Sequence, residues 1–470
     1  MRMTCFRRLA QWLPECLLLA LFLFFALRDL GTFPAAWADD SLFMIVAKSV
    51  AEGDGYGLPI LGYFWPHPYI LAVGPTLLYP VALAIRLFGF SVGIARIPMV
   101  LFLLGTTIAS YLFVRRTVDR TAARWTAALM ISFSAFINTG KPVLGEVPGF
   151  FFIIVGLLLM QREMSPSIAL MSGAAFGLAV MTKLPFGLVL PALILAWIVA
   201  AIRLRGTETR FLLVAAASTA GIALIGSYWM GILEPGFFDE IRIFLFEKKS
   251  VVPEDAFVSI IARPRELLRA AYGHYVLVAV LAGIGWWTVR SSLRGSLSVI
   301  LFSIIALFAL YFLNGPGWYR ALLPSTLLLF LFVPAGARKL LGRTGATLLL
   351  SGIVIAQGYW QYTGGGSSDS PEAADAAQAL IAEWQERDLV ILSPEVFVRL
   401  PRNDRWLFLS EELRHAERQP PEVRTRLDQS KCLPVFRKES YENLETKRDA
   451  YRTVSGRYII LDPPSDCPQP

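Results

Sequence analysis

Long apolar segments recur along most of the chain, separated by short polar loops. About 20 apolar residues in a helix cross the hydrocarbon core of a bilayer. The pattern therefore predicts a mainly α, polytopic membrane protein with about eleven transmembrane helices, several of them short. The predicted spans cover residues 13–30, 94–114, 122–138, 148–161, 167–181, 185–202, 211–230, 275–289, 297–313, 318–334 and 346–359.

The loop between the first two spans is long and has its own periodicity. Residues 40–52 and 76–88 carry apolar positions at helical spacing, which predicts two helices lying in the membrane interface. Residues 53–57 and 65–68 are rich in Gly and Pro, and this composition predicts turns.

The composition changes after Tyr362. Residues 363–368 are rich in Gly and Ser and predict a flexible linker. Beyond it, residues 371–386 predict a helix, and short apolar runs at 388–392, 405–409 and 457–461 predict strands. We therefore expect a transmembrane domain over residues 1–362 and a small α/β domain over residues 363–470.

The distribution of Lys and Arg predicts the orientation in the membrane. Basic residues mark cytoplasmic loops, and here they occupy alternate loops together with the N-terminal tail. They are Arg2, Arg7, Arg8, Arg115, Arg116, Arg120, Arg124, Arg162, Arg203, Arg205, Arg210, Arg290, Arg294, Arg338, Lys339 and Arg343. We expect a cytoplasmic N-terminus in a bacterial-type inner membrane, and an extracytoplasmic C-terminal domain.

The overall composition agrees with a membrane protein, because 55% of the residues are hydrophobic and 17% are charged. The net charge of +8 would also suit a nucleic-acid-binding protein. We exclude nucleic acid as a partner because the basic residues are spread among the membrane loops. Cys432 and Cys467 fall in the predicted outer domain, and two interpretations stay open: a disulfide or two free thiols.

The strongest chemical signal is the pair Asp39 and Asp40, directly after the first span. Carboxylates at the edge of a bilayer are costly, and they tend to be retained for function. Helix capping by an Asp is the alternative interpretation.

Further charged residues fall at the same predicted depth. The second carboxylate is Glu146, and the cations are Arg96, Lys141, Lys183 and Arg320. Each could instead be an ordinary interface anchor or part of a solvated loop pair. Taken together, carboxylates can deprotonate an acceptor hydroxyl, and Lys and Arg can bind a departing phosphate. This combination predicts glycosyl transfer from a lipid-linked phosphosugar. Acidic loops can also bind a divalent metal ion, so a metal cofactor stays open.

Several short motifs resemble glycosyltransferase family 39 of the GT-C superfamily, which includes the protein O-mannosyltransferases and lipid A aminoarabinose transferases. The resemblance covers roughly residues 10–335. Its motifs are Asp39-Asp40, Gly53-Asp54-Gly55-Tyr56, Ala95-Arg96-Ile97-Pro98, Gly145-Glu146-Val147-Pro148, Thr182-Lys183-Leu184-Pro185 and Tyr319-Arg320.

The resemblance implies a GT-C fold and an inverting transfer from a polyprenyl-phosphate-linked sugar donor to an extracytoplasmic acceptor. Asp39 matches the family's catalytic acid in the first outer loop, Asp40 stands where the family usually has Glu, and Glu146 matches the second acidic position. Arg96, Lys183 and Arg320 match positions expected near the donor phosphate or the acceptor. A Lys-Pro pair of the aminoarabinose branch is missing here, and His67 is the candidate replacement.

A transporter or lipid flippase of cell-envelope assembly is the alternative function. Transporters usually place charged sites at mid-membrane, on broken helices within internal repeats. The acidic residues here cluster in loops, and the sequence shows no repeat. The sequence identifies neither the sugar nor the acceptor.

Overall fold

The computed structural model describes residues 2–66, 73–229, 271–314, 319–363, 372–409, 421–438, 451–463 and 467. The described helices are α1 (Arg2–Leu27), α2 (Ala38–Glu52), α3 (Pro75–Phe88), α4 (Val92–Thr117), α5 (Arg120–Ser132), α6 (Ser134–Gly140), α7 (Glu146–Met160), α8 (Pro166–Thr182), α9 (Val189–Ile202), α10 (Gly206–Trp229), α11 (Tyr272–Val289), α12 (Gly295–Asn314), α13 (Tyr319–Phe330), α14 (Val333–Tyr362), α15 (Glu372–Glu383), α16 (Pro394–Phe397) and α17 (Pro421–Gln429). The strands are β1 (Gly57–Ile60), β2 (Tyr63–Pro66), β3 (Leu389–Ile391), β4 (Trp406–Phe408), β5 (Val435–Lys438), β6 (Tyr451–Ser455) and β7 (Tyr458–Leu461).

Apolar helices dominate the described part of the chain. Six of them are long and apolar enough to cross a membrane: Val92–Thr117, Leu184–Ile202, Gly206–Tyr228, Tyr272–Val289, Gly295–Leu313 and Val333–Tyr362. Five shorter apolar helices accompany them: Trp12–Leu27, Pro75–Phe88, Glu146–Met160, Pro166–Thr182 and Tyr319–Phe330. The chain is therefore an integral membrane protein, as its periodicity indicates, and the count of about eleven spans stays a prediction.

The single span predicted over residues 122–138 is two helices in the structure. Helix α5 ends at Ser132 and α6 begins at Ser134, because Phe133 between them has an extended backbone with ψ 108°. Ser132 Oγ donates to Gln357 Oε1 over 2.8 Å. Hydrophobic periodicity alone does not register such a break.

The chain packs into two compact units. The helical unit comprises Met1–Arg28, Ala72–Leu77 and Met99–Gly365. The mixed unit comprises Asp29–Leu71, Leu78–Pro98 and Gly366–Pro470, so it groups much of the first predicted loop with the C-terminal region. The sequence gives no sign of this grouping, and the domain boundary at residue 362 stays a prediction.

Glycines allow close helix packing within the helical unit. A Cβ atom on Gly336 would lie 1.8 Å from the backbone oxygen of Leu281, and one on Gly285 would lie 2.0 Å from that of Phe332. Helices α11 and α14 therefore approach each other backbone to backbone. Small residues are the usual means of such an approach in membrane proteins.

A five-stranded sheet in the order β4-β3-β5-β7-β6 forms the centre of the C-terminal region. Strands β4, β3 and β5 are parallel, whereas β7 runs antiparallel to β5 and β6. Helix α15 packs on this sheet through Leu380, in a core that includes Ile391, Phe436 and Ile460. Helix α15 and strands β3, β4 and β7 confirm the predicted elements, whereas β5 and β6 were not predicted.

Strands β1 and β2 form a hairpin in the mixed unit. Its turn holds Leu61 at φ 48° and Gly62 at φ 71°, the left-handed backbone that a tight hairpin requires. Leu61 N donates to Phe408 O over 2.8 Å, and Arg426 donates to Leu61 O over 3.0 Å. The turn therefore binds directly to the C-terminal sheet. Residues 65 and 66, predicted as turn, belong to β2.

The two C-terminal cysteines are paired. Cys432 and Cys467 form a disulfide with their Cα atoms 5.5 Å apart. The sequence left open whether these residues form a disulfide or stay as two free thiols, and the structure shows the disulfide.

Candidate active site

Three charged residues from separate parts of the helical unit converge at the first residue of α7. Glu146 Oε1 lies 2.7 Å from Lys183 Nζ and 3.6 Å from Arg320 Nε. Lys183 directly follows α8, and Arg320 lies in the first turn of α13. The sequence singled out each of these residues, and the structure brings them together as a triad.

The backbone around Lys183 explains how the triad is held. Lys183 is extended, with φ −158° and ψ 133°, and it forms a β-bridge with Val73. A Cβ atom on Gly145 would lie 2.8 Å from Lys183 Cβ, so glycine permits the close approach of the two segments. Thr182 directly precedes Lys183 and is the last residue of α8. A hydrogen bond of 2.7 Å between the hydroxyls of Thr76 and Thr182 joins α3 to α8 at this point.

The triad is largely shielded from solvent. The side chains of Glu146, Lys183 and Arg320 are 9%, 14% and 10% exposed. Two cations, Lys183 and Arg320, face the one carboxylate of Glu146. Glu146 Oε2 is buried and has no hydrogen-bond donor. Chemically, the triad can attract an anion such as phosphate and can still accept a hydrogen bond.

A second charged group lies in the mixed unit. Arg96 NH2 donates to Asp40 Oδ2 over 2.6 Å, and both side chains are 0% exposed. Arg96 NH1 also donates to the backbone oxygen of Leu30 over 3.1 Å, whereas its Nε is buried without a partner. Arg96, expected near the donor phosphate, therefore forms an ion pair with Asp40 in this structure.

Asp39 differs from its neighbour, because it is only partly buried. Both acids lie in the first turn of α2, where a negative charge is favoured by the helix dipole. The capping position belongs to Trp37, which makes no side-chain cap. The alternative interpretation of the pair as an N-cap is therefore wrong. Asp40 is engaged in a buried ion pair, and Asp39 is the acid that solvent can reach.

The sequence also predicted Lys141 and His67 as site residues. Lys141 is 2% exposed and donates from Nζ to the backbone oxygen of Arg28 over 2.7 Å, so it links α6 to the residue after α1. His67 lies outside the described residues.

The sequence missed Arg399, which follows α16 in the C-terminal region. Burial lowers the pKa of Arg399, the positive charge of Arg96 lowers it further, and the negative charge of Asp40 opposes both effects. Arg399 is therefore close to the buried ion pair of the mixed unit. Its sequence context carries no signal that would have identified it.

The question of a metal-ion cofactor, which the sequence leaves open, stays open. The described residues contain no cluster of three or more His, Cys, Asp or Glu side chains that could hold a metal ion.

Comparison with known proteins gives the fold. The structure of ArnT from Cupriavidus metallidurans bound to undecaprenyl phosphate matches with a TM-score of 0.66 at 12% identity, over 97% of this chain and 99% of that one. The chain has the fold of a GT-C glycosyltransferase. The archaeal oligosaccharyltransferase AglB from Archaeoglobus fulgidus, in complex with an inhibitory peptide and a dolichol-phosphate, matches this chain with a TM-score of 0.58 at 10% identity. That match covers 92% of this chain and 70% of AglB.

Sequence comparison supports the same kind of protein. Residues 67–229 match the family model described as dolichyl-phosphate-mannose-protein mannosyltransferase. This match confirms the resemblance to glycosyltransferase family 39. No curated protein matches the chain. The family-model match and the GT-C fold together support a membrane glycosyltransferase as the general kind of protein.

Proposed function

We propose that this GT-C chain is an inverting glycosyltransferase that moves a sugar from a polyprenyl-phosphate donor to an acceptor lipid, glycan or protein outside the cytoplasm. The observation that carries the proposal is the triad of Glu146, Lys183 and Arg320. Two cations beside one carboxylate in a group largely shielded from solvent form a site that can bind an anion. The phosphate of a lipid-linked donor is an anion that reaches such a site from the bilayer.

Two relatives support a lipid phosphate as the ligand. ArnT was solved with undecaprenyl phosphate and AglB with a dolichol-phosphate. We assign the donor phosphate to Lys183 and Arg320 because the guanidinium can bind two phosphate oxygens and the ammonium adds a compact charge. His67 and Lys141 stay candidates for donor contacts from the sequence.

Asp39 is proposed as the general base. It takes the proton from the acceptor hydroxyl, and the hydroxyl oxygen forms a bond to the anomeric carbon of the sugar. The bond between that carbon and the phosphate oxygen breaks, and its electron pair stays on the phosphate. Lys183 and Arg320 stabilise the negative charge that develops there. Attack opposite the leaving group inverts the anomeric carbon.

The reaction is proposed to occur on the extracytoplasmic side. The basic loops favour a cytoplasmic N-terminus. The disulfide between Cys432 and Cys467 supports an oxidising compartment for the C-terminal region, because cytoplasmic thiols are normally kept reduced.

A turnover assay tests the proposed function. The purified protein in nanodiscs is given a panel of polyprenyl-phosphate sugars together with an extract of the host's envelope lipids and glycans as acceptor. The expected result is release of free polyprenyl phosphate with transfer of the sugar label. Movement of intact donor across the bilayer of a proteoliposome, without release of polyprenyl phosphate, would instead identify the flippase alternative.

A further inference from the structure

Two short loops of the helical unit meet at the ends of four apolar helices. They are residues 203–205, between α9 and α10, and residues 290–294, between α11 and α12. All four helices belong to segments that are long and apolar enough to cross a membrane. Loops that directly join such segments lie at the depth of the lipid headgroups, so the contacts between these two loops form at a membrane surface.

Two arginine side chains converge on Gly295, the first residue of α12. A Cβ atom on Gly295 would lie 2.9 Å from Arg205 NH1 and 3.8 Å from Arg203 NH1. Arg205 forms an ion pair of 3.2 Å with Glu208 Oε2, and Glu208 Oε1 accepts a hydrogen bond from Ser296 N. The side chain of Arg203 is exposed and has no ion pair or hydrogen bond within the part of the chain that the structure describes. One guanidinium is therefore held in place, and the second beside it is available to a ligand.

The other basic side chains of the second loop are engaged by the protein. Arg294 NH1 donates to the backbone oxygen of Met160 over 3.3 Å, and the guanidinium of Arg290 lies 3.2 Å from the centre of the Trp287 ring. The first turn of α12 contains no acidic residue, so the positive end of its dipole adds to the attraction for an anion.

Leu204, between the two arginines, has the features of a residue in contact with lipid. It is 91% exposed, so it does not pack against the protein. Its φ is 55°, in the left-handed region that residues other than glycine rarely adopt. Such a conformation costs free energy and indicates a functional constraint on the loop. An apolar side chain that enters the bilayer, with cations beside it at headgroup depth, is typical of a membrane-surface contact.

We propose that Arg203 and Arg205 form a binding site, the Gly295 site, for the phosphate of an anionic membrane lipid. A guanidinium can bind two phosphate oxygens, and basic pockets between transmembrane helices bind anionic headgroups. The phosphate links the end of α9 to the start of α12.

The Gly295 site is separate from the triad. Lys183 precedes and Arg203 follows the segment Leu184–Ile202, which is long and apolar enough to cross a membrane. The two sites therefore lie at opposite ends of this segment. The inference does not depend on the proposed function, and its test needs neither a sugar donor nor turnover.

Native mass spectrometry of the full-length protein in detergent tests the site. The protein is titrated with phosphatidylglycerol, which is anionic, and with phosphatidylcholine, which has the same phosphate beside a positive charge. The parent should bind phosphatidylglycerol more tightly, and Arg203→Gln should weaken this binding about fivefold. Arg116→Gln is the matched control, because Arg116 is also exposed near the end of a long apolar helix and the change in charge is the same. It should bind like the parent.

Gly295→Ala separates a built site from general attraction by basic loops. This change keeps the net charge, but its Cβ atom displaces Arg205 NH1. The displaced atom is the far end of a flexible side chain, so the Tm without lipid should match that of the parent. Binding of phosphatidylglycerol should nevertheless weaken about as much as in Arg203→Gln, and the rise in Tm that this lipid gives the parent should shrink in both variants.

Three results would overturn the proposal. The first is equal weakening by Arg203→Gln and Arg116→Gln together with parent-like binding by Gly295→Ala, which would mean that the basic loops attract lipid only through their general charge. The second is equal affinity of the parent for the two lipids. The third is a rise in Tm with inorganic phosphate that depends on Arg203 and matches the rise with phosphatidylglycerol, which would identify a site for free phosphate.

Discussion

Arg96 donates a hydrogen bond of 2.6 Å to Asp40, and neither side chain is exposed. Asp40 is preceded in the sequence by Asp39, and solvent can reach the side chain of Asp39 because it is only partly buried. Two adjacent carboxylates therefore have different surroundings, and we assign them different roles. Asp40 forms a buried ion pair, and Asp39 is the base of the proposed mechanism.

The first prediction concerns the stability of this pair. Arg96→Ala leaves the carboxylate of Asp40 buried without its partner, so it should destabilise the protein by about 3–5 kcal/mol. The measurement is thermal unfolding of the purified protein in detergent.

The exposed pair of Arg402 and Asp54 provides the control for this experiment. Because exposed ion pairs contribute about 1 kcal/mol or less, Arg402→Ala should unfold close to the parent. Equal Tm values for Arg96→Ala and the parent would show that the buried pair contributes nothing to stability.

The second prediction concerns donor binding by the triad. Arg320→Ala and Lys183→Ala should each raise the Kd for polyprenyl phosphate, which carries the phosphate of the donor, about tenfold or more, because each removes a charged partner of the phosphate. Arg320→Lys should recover only part of this loss, since an ammonium lacks the forked geometry of a guanidinium. Titration of the protein in nanodiscs with polyprenyl phosphate measures these constants.

Arg338→Ala is the control for the titration. Arg338 lies in the same helical unit, is 38% exposed and pairs with Asp119. It should bind polyprenyl phosphate like the parent. If Arg320→Ala and Lys183→Ala also bind like the parent, these residues are interface anchors and the phosphate site lies elsewhere.

The sequence predicted the local features of this protein better than its long-range contacts. Most of the apolar helices, the helices α2 and α3 and strand β3 follow from periodicity, which neighbouring residues determine. Glu146, Lys183 and Arg320 were each recognised, but their convergence depends on how three separate segments pack. Arg399 was missed because an arginine in a polar region resembles any surface arginine until the fold partly buries it.

The third prediction concerns the orientation of the chain. A reporter that is active only outside the cytoplasm should be active when fused after Ser368, because the basic loops predict that the C-terminal region lies outside. A fusion after Arg203, in a predicted inner loop, should be inactive. The opposite pattern, with a cytoplasm-only reporter active after Ser368, would mean that the number of spans differs by one.

The fourth prediction concerns the thiols. When the unreduced protein is taken from membranes and treated with an alkylating reagent, Cys432 and Cys467 should stay unlabelled, because they form a disulfide. Cys16 is free and exposed and serves as the labelled control after detergent extraction. Mass spectrometry reads each site. Labelling of Cys432 or Cys467 before reduction would be incompatible with the pairing.

The turnover number of Asp39→Asn, relative to the parent, tests the central claim most directly. Asparagine keeps the size of the side chain but cannot accept the proton of the acceptor, so turnover should fall by about 10²–10⁴. Its Tm should match that of the parent, because Asp39 is only partly buried. Near-parental turnover by a correctly folded Asp39→Asn protein would contradict the assignment of Asp39 as the base.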